Sequence, residues 1–270
     1  MLRQFTGRVA VVTGAAHGLG RAIARELAIR KCRLALIDRD SSALAAAAEE
    51  LRAHSESVTA HVADVSAFSE VERVAAEVRD AHGSAHLLVN NAAVSASASF
   101  LQTGPADFDR IMAVNFFGVV HGCRAFLPLL LLHGEGQILN VSSCFAWVGY
   151  PRKTAYAASK GALRAFSEAL RSELAGSGVG VTVLFPGPLR TSLVRTGISE
   201  SAELRRREER FLLSRGLDPA HAARVSLNRL LSNPGRIVVG LDYRLLDLLA
   251  RLSPRLAVRA MRIAAARAGF

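Results

Sequence analysis

Arg8-Val9-Ala10-Val11-Val12-Thr13-Gly14-Ala15-Ala16-His17-Gly18-Leu19-Gly20 is the stretch that decides the fold. Its first six residues make an apolar run of the kind expected of a parallel strand covered on both faces. A glycine-rich turn follows at once, and an amphipathic helix runs on to about Arg30. Strand, tight turn and helix form the context that a dinucleotide-binding loop requires. The glycines let the backbone approach a pyrophosphate, and the helix N-terminus offers free N–H groups at a positive dipole end. Glycines also suit any tight strand-to-helix turn, so the loop needs support from the rest of the chain.

The next apolar run, residues 33–37, ends in Asp38. A carboxylate about twenty positions after the glycine turn can accept bonds from an adenosine ribose. The other reading of Asp38 is the start of the following helix. Alternation then continues: a helix over 42–54, a short strand ending near Val62-Ala63-Asp64-Val65, a helix over 66–82 and a strand over 86–90. This regularity predicts an α/β fold with a doubly wound parallel sheet. Asn90-Asn91-Ala92-Ala93 closes the fourth strand, at the sheet edge where such folds bind ligands. A long helical region over about 106–133 contains Asn115 within Val114-Asn115-Phe116-Phe117-Gly118. An amide in so apolar a helix needs partners. Either the fold satisfies it or it belongs to a polar relay. A strand over 137–141 runs into Ser142-Ser143, and a strand over 180–185 runs into Pro186-Gly187-Pro188.

Between these strands lies Tyr156-Ala157-Ala158-Ser159-Lys160. On a helix, Tyr156 and Lys160 project from one face. Making a phenol a base near neutrality takes a shift of about three pKa units, roughly 4 kcal/mol of preference for the phenolate. A fixed lysine cation acts in that direction. With three Tyr and three Lys in the whole chain, the spacing is informative.

Composition limits the alternatives. A chain of 270 residues that is half hydrophobic buries a core as one domain. The three cysteines, Cys32, Cys123 and Cys144, are widely spaced and suit neither a disulfide framework nor a zinc site, so no metal is expected. A strand-like run begins almost at once, with no signal-peptide pattern before it, and the longest apolar run, 125–132, is too short to span a bilayer. A cytoplasmic protein is expected. The net charge of +11 is uneven: residues 1–189 carry 18 basic and 16 acidic side chains, residues 190–270 carry 16 and 7. No nucleic-acid-binding signature accompanies the basic part, so no nucleic-acid partner is expected.

The ordered set Thr-Gly-x-x-x-Gly-x-Gly, Asp-Val, Asn-Asn-Ala, Asn, Ser, Tyr-x-x-x-Lys and Pro-Gly resembles the short-chain dehydrogenase/reductase family, in its single-domain Rossmann form. The resemblance runs from about Arg8 to Thr191 and more loosely to Gly240. It implies a catalytic tetrad of Asn115, Ser143, Tyr156 and Lys160. Ser143 is chosen over Ser142 because the family's serine lies thirteen residues before its tyrosine. Tyr156 would exchange a proton with the substrate oxygen while Ser143 holds that oxygen. Lys160 would lower the Tyr156 pKa and grip the nicotinamide ribose, and Asn115 would help hold a water. The cofactor contacts implied are Gly14, Ala16, His17, Gly18, Leu19 and Gly20 for phosphate, Asp38 and Arg39 at the adenosine ribose, Asp64 and Val65 for adenine, and Asn90 and Ala92 beyond them. Tyr156, Lys160, Pro186, Gly187, Leu189 and Thr191 would complete the site at the nicotinamide. Asp38 favours NAD over NADP, although Arg39 and His17 are basic residues where NADP users often carry them. Ala93 stands where the family usually has Gly.

Substrate contacts are expected from Val94, Ser143, Phe145, Tyr150, Tyr156 and Pro188. With Trp147, Val148 and Phe185 nearby in sequence, an apolar pocket is expected. It would suit a lipophilic alcohol or carbonyl compound: a steroid, retinoid, fatty or aromatic substrate. The alternative is a non-catalytic dinucleotide-binding sensor or scaffold on the same fold. A homodimer or homotetramer is the assembly implied. Glu203 to Arg210 reads as the solvated face of a helix. Residues 1–240 read as the catalytic domain and 241–270 as a basic amphipathic extension. Arg244, Arg251, Arg255, Arg259 and Arg262 fall along one stripe if Pro254 only kinks the helix. Leu245, Leu248, Leu249, Leu252, Leu256 and Ile263 form another. That apolar stripe packs on protein, or it lies in a membrane interface.

Overall fold

The computed structural model describes residues 1–268. Strands and helices alternate from the start: Val9–Thr13 (β1), Gly18–Ile29 (α1), Arg33–Asp38 (β2), Ser41–Arg52 (α2), Val58–Val62 (β3), Phe68–His82 (α3) and Leu87–Asn90 (β4). A short strand, Ala96–Ser97 (β5), precedes Pro105–Met112 (α4) and Gly118–Leu131 (α5). Next come Gly136–Val141 (β6), Thr154–Glu173 (α6), Val179–Pro186 (β7) and Ile198–Ser199 (β8). The chain closes with Ala202–Arg215 (α7), Pro219–Leu230 (α8), Arg236–Val239 (β9), Leu241–Leu252 (α9) and Pro254–Ala268 (α10).

Seven strands form one parallel sheet in the order β3-β2-β1-β4-β6-β7-β9. Every residue of β1 is buried, because helices cover both of its faces. Ala10 and Val12 pack into a layer with Ile23, Leu27 and Leu227, while Val11 faces Phe126, Leu130 and Val74 on the other side. Each such side chain contributes about 1.5–3 kcal/mol when fully buried, which is why these strands read as unbroken apolar runs. The strand order reverses beside β1, so the C-terminal ends of β1 and β4 flank a crevice, the usual ligand site of an open parallel sheet.

Three expectations change. The helix over 106–133 is continuous but carries a π turn at Ala113–Phe117, with Asn115 at its centre. The whole segment Pro105–Leu131 is long and apolar enough to cross a membrane, but half of its most apolar window is buried inside the protein, as befits a core helix. The charged run on α7 is not merely a solvated face: Glu208 is buried against Lys153. Finally, Pro254 does more than kink the tail. Ser253 takes φ −149° and ψ 89°, and Pro254 starts a separate helix, its fixed φ suiting that first position. The arginine stripe is therefore divided between two helices. Ala257 and Met261 on α10 pack with Leu246, Leu249 and Ala250 of α9 against Val148, so the inner side of the tail covers the body of the protein. Leu245, Leu248, Leu252, Leu256 and Ile263 remain exposed.

Candidate active site

Gly14 and Gly18 have φ of +65° and +51°, values that side chains disfavour. A Cβ on Gly14 would lie 2.7 Å from the Asn91 amide nitrogen, and one on Gly20 would overlap the Gly14 carbonyl. Asn91 causes this crowding: its Nδ2 donates to the carbonyls of Thr13 at 3.0 Å and Gly14 at 3.2 Å. The Thr13 hydroxyl in turn accepts the N–H groups of Asn91 and Ala92 at 2.9 and 3.1 Å. The glycine turn is thereby fastened to the end of β4. The N-terminus of α1 has no side-chain cap, so its N–H groups are available to an anion. This cradle fits a dinucleotide pyrophosphate.

A cleft of about 430 Å³ runs from Asp38, Arg39 and Asp64, past Gly14, His17, Gly18 and Leu19, to Tyr156, Lys160 and Pro186. Val65, Ala92, Val94, Leu189 and Thr191 also line it. Asp38 accepts the N–H of Ala16 through Oδ2 at 3.0 Å and that of Asp40 through Oδ1 at 3.1 Å. The start of α2 is capped by Asp40 instead, which accepts the Ala43 N–H at 3.0 Å. Asp38 is thus left facing the cleft. His17 lies 3.1 Å from Asp40, whose carboxyl is held down at about 2 by bonds from Ala43, His17 and Ser42. Burial raises Asp64, but bonds from Ser66 and the guanidinium groups of Arg39 and Arg110 outweigh it and leave the carboxyl below its usual range.

Two sequence candidates have buried side chains held by the fold. Asn90 is buried, its Nδ2 donating to Asn140 at 2.8 Å, so its side chain braces β4 against β6. Asn115 is fully buried; its Oδ1 accepts the Val94 N–H at 2.8 Å, and its Nδ2 donates to Val94 at 3.0 Å and to Ser159 at 3.2 Å. The fold therefore satisfies this amide, which fixes Val94 at the cleft wall. Ala16 and Gly20 shape the turn from below, and Gly187 is buried behind Pro186.

Tyr156 and Lys160 do share a face of α6. The Lys160 Nζ donates to the Val141 carbonyl at 3.0 Å and lies 5.9 Å from the centre of the Tyr156 ring. Burial pushes this ammonium down to about 8. Burial also pushes the Tyr156 phenol up to about 12, with Cys144 adding to the rise and a hydrogen bond from Ser143 opposing it. The expected depression by Lys160 is not found. Desolvation disfavours both charged forms. Ser143 sits at the turn after β6, its Oγ accepting the Phe145 N–H at 3.3 Å. Phe145 lies edge-on to Tyr156 at 6.3 Å and against Tyr150 at 5.0 Å. Trp147 packs on Phe185 at 4.6 Å, and Val148 lies under the tail, so these three serve the core. Pro188 joins the segment after β7, where its carbonyl accepts the Leu217 N–H at 2.8 Å.

Sequence reading missed Asn91, Ser142 and, after β7, Leu193, Arg195 and Thr196, all of which line the cleft. Asn91 sits beside a residue that was chosen; the three residues after β7 carry no spacing signal. The Ser142 hydroxyl donates to the Lys160 carbonyl at 3.1 Å and so fastens α6 to β6.

The family model for short chain dehydrogenase matches residues 8–201. The Mycobacterium tuberculosis oxidoreductase SadH is 35% identical over 255 residues, 93% of this chain and 92% of that protein. A 2-(R)-hydroxypropyl-CoM dehydrogenase from Xanthobacter autotrophicus is 36% identical over 192 residues, 70% of this chain and 77% of its own. Among solved structures, a Burkholderia phymatum short-chain dehydrogenase/reductase in complex with NAD superposes with a TM-score of 0.84 at 30% identity, covering 93% of this chain and 96% of its own. An alcohol dehydrogenase from Thermococcus sibiricus complexed with 5-hydroxy-NADP gives 0.74 at 28% identity, covering 86% and 95%. With the parallel sheet, the glycine cradle and the Ser143, Tyr156 and Lys160 cluster, these likenesses identify the chain as an oxidoreductase of the short-chain dehydrogenase/reductase family.

Proposed function

We propose that the protein uses NAD to interconvert a lipophilic secondary alcohol and its carbonyl compound, with Tyr156, Ser143 and Lys160 as the reacting cluster. The observation that carries this reading is the Tyr156 phenol, bonded to Ser143 and one helical turn from the buried Lys160 at the nicotinamide end of the cleft. The nicotinamide ring supplies the hydride acceptor or donor. Ser143 holds the substrate oxygen, and Tyr156 takes its proton in oxidation or returns it in reduction. Lys160 would hold the adjoining ribose. Its cation and that of an oxidised nicotinamide would favour the phenolate against the rise that burial imposes. Asn115 acts by fixing Val94 through its side-chain amide.

NAD is favoured because Asp38 directs a carboxylate at the place of a 2′-phosphate. His17 is paired with Asp40 and so is not free to draw that phosphate. Phe145, Tyr150 and Val94 support a lipophilic substrate. A screen of steroid, retinoid, fatty and aromatic alcohols and ketones with each cofactor, read as cofactor absorbance, is the test. No turnover with any of them alongside tight NAD binding would favour a dinucleotide sensor instead.

We further propose a cytoplasmic homodimer or homotetramer, whose catalytic domain spans 1–240, with the extension 241–270 docked on it and touching an anionic bilayer. Leu241, Leu245, Leu248, Leu252 and Leu256 are exposed among Arg251, Arg255, Arg259 and Arg262, while Asp247 is turned inward to Arg236 at 2.7 Å. A second copy packed symmetrically on this face would oppose arginine to arginine; an anionic headgroup layer complements it. Sedimentation with anionic and neutral vesicles tests it. Salt-sensitive pelleting with the anionic ones alone is expected, and no pelleting at low salt would contradict it.

A further inference from the structure

After β7 the chain returns to the glycine cradle. A Cβ on Gly18 would lie 3.0 Å from the Thr191 Cγ2, so Thr191 sits against the start of α1. Residues 192–196 then make one turn, in which the Thr196 N–H donates to the Ser192 carbonyl at 3.2 Å. The turn is pinned at two places. Val194 is buried, and the next residues lie against Ser95. A Cβ on Gly197 would be 2.7 Å from the Ser95 carbonyl oxygen, which accepts the Ile198 N–H at 2.9 Å. Arg195, beside the buried Val194, is exposed and lines the same cleft as Thr191, Gly14 and Gly18.

The other cations around the cradle are engaged or lie elsewhere. Lys160 is buried and donates to the Val141 carbonyl, His17 is paired with Asp40, and Arg21 in the first turn of α1 is held by Glu50 at 2.5 Å. Arg39 follows Asp38 at the adenosine end. Among the described residues, the Arg195 side chain has no hydrogen bond or ion pair. The cradle thus offers backbone N–H groups and a helix dipole to a charged pyrophosphate, with one unengaged guanidinium on the segment that closes against it.

We propose that Arg195 supplies the charge that the glycine cradle lacks and binds the cofactor pyrophosphate from the opposite wall of the cleft. This rests on the reading that the cradle holds a nicotinamide dinucleotide. A guanidinium presents parallel N–H donors to phosphate oxygens, while the N-terminus of α1 serves the other side of the group. The pyrophosphate is gripped between the turn after β1 and the turn after β7.

The test is calorimetric titration of the full chain with NADH and with ADP-ribose, which keeps the pyrophosphate but lacks the nicotinamide. Arg195→Gln should weaken both by ~10-fold or more, the size of one lost charge-assisted hydrogen bond. It should also flatten the fall of affinity with added salt. Arg195→Lys, which keeps the charge without the planar fork, should lie between the two. Arg190→Gln removes an equal charge from an exposed residue outside the cleft and should change neither affinity. Unchanged binding of both ligands to Arg195→Gln would overturn the proposal. So would a loss confined to NADH, which would put the side chain at the nicotinamide, or an equal loss in Arg190→Gln, which would make the effect one of overall charge. A wild type that binds neither ligand would overturn the dinucleotide reading itself, and the proposal with it.

Discussion

Lys153 and Glu208 are both buried and lie 3.0 Å apart, joining the residue before α6 to α7. Ser97 on β5 bonds to both of them, and β5 pairs with β8 just ahead of α7. Lys153 stands three residues before Tyr156. One ion pair thus ties α7 to the start of the helix that carries Tyr156.

Breaking this pair from one side leaves a buried charge. Glu208→Ala should lower stability by about 3–5 kcal/mol, whereas Lys153→Met combined with Glu208→Leu should recover most of the loss. Urea unfolding of the three proteins measures it.

Lys160 gives stability a pH dependence of known sign. Burial moves its ammonium from 10.5 to about 8 in the folded chain. Between those values the unfolded chain binds more protons, so this residue makes stability rise with pH. The buried thiols of Cys32, Cys123 and Cys144, raised from 9.0 to about 12, act in the opposite sense above about pH 9. The contribution of Lys160 is isolated by comparing wild type with Lys160→Met in urea unfolding at pH 8 and pH 10. The wild type should gain relative to the variant as pH rises, by up to about 3 kcal/mol over the whole interval.

Asp38 should set the choice of cofactor. Asp38→Ala should lower the NAD-to-NADP ratio of kcat/KM by ~30-fold or more, the size of a like-charge contact worth about 2 kcal/mol. Steady-state rates with both cofactors check this. An unchanged ratio would mean that the carboxylate does not face the ribose.

The sheet was legible because residues such as Val9 to Val12 are covered on both faces, and burial of that kind is written in the sequence as an apolar run. Tyr156 and Lys160 were legible because helical spacing alone places them together. Asp38 was ambiguous until Asp40 proved to cap α2. The π turn around Asn115, the inward direction of Asn90 and the burial of Glu208 depend on partners far along the chain, Val94, Asn140 and Lys153. No local period encodes such pairings. The same holds for Tyr243, whose ring meets Gly187 only because β9 lies beside β7. The tail stripe failed for a different reason: a proline at a first helical position and one inside a helix look alike in sequence, yet only the former starts a new axis.

The central claim is that the Tyr156 phenol transfers the substrate proton. The most direct measurement is kcat for Tyr156→Phe on an alcohol that the wild type turns over, together with NAD affinity. Loss of general acid–base catalysis should lower kcat by ~10²–10⁴-fold while NAD affinity stays the same. A Phe variant that keeps more than about a tenth of the wild-type rate, against that range, would contradict the account.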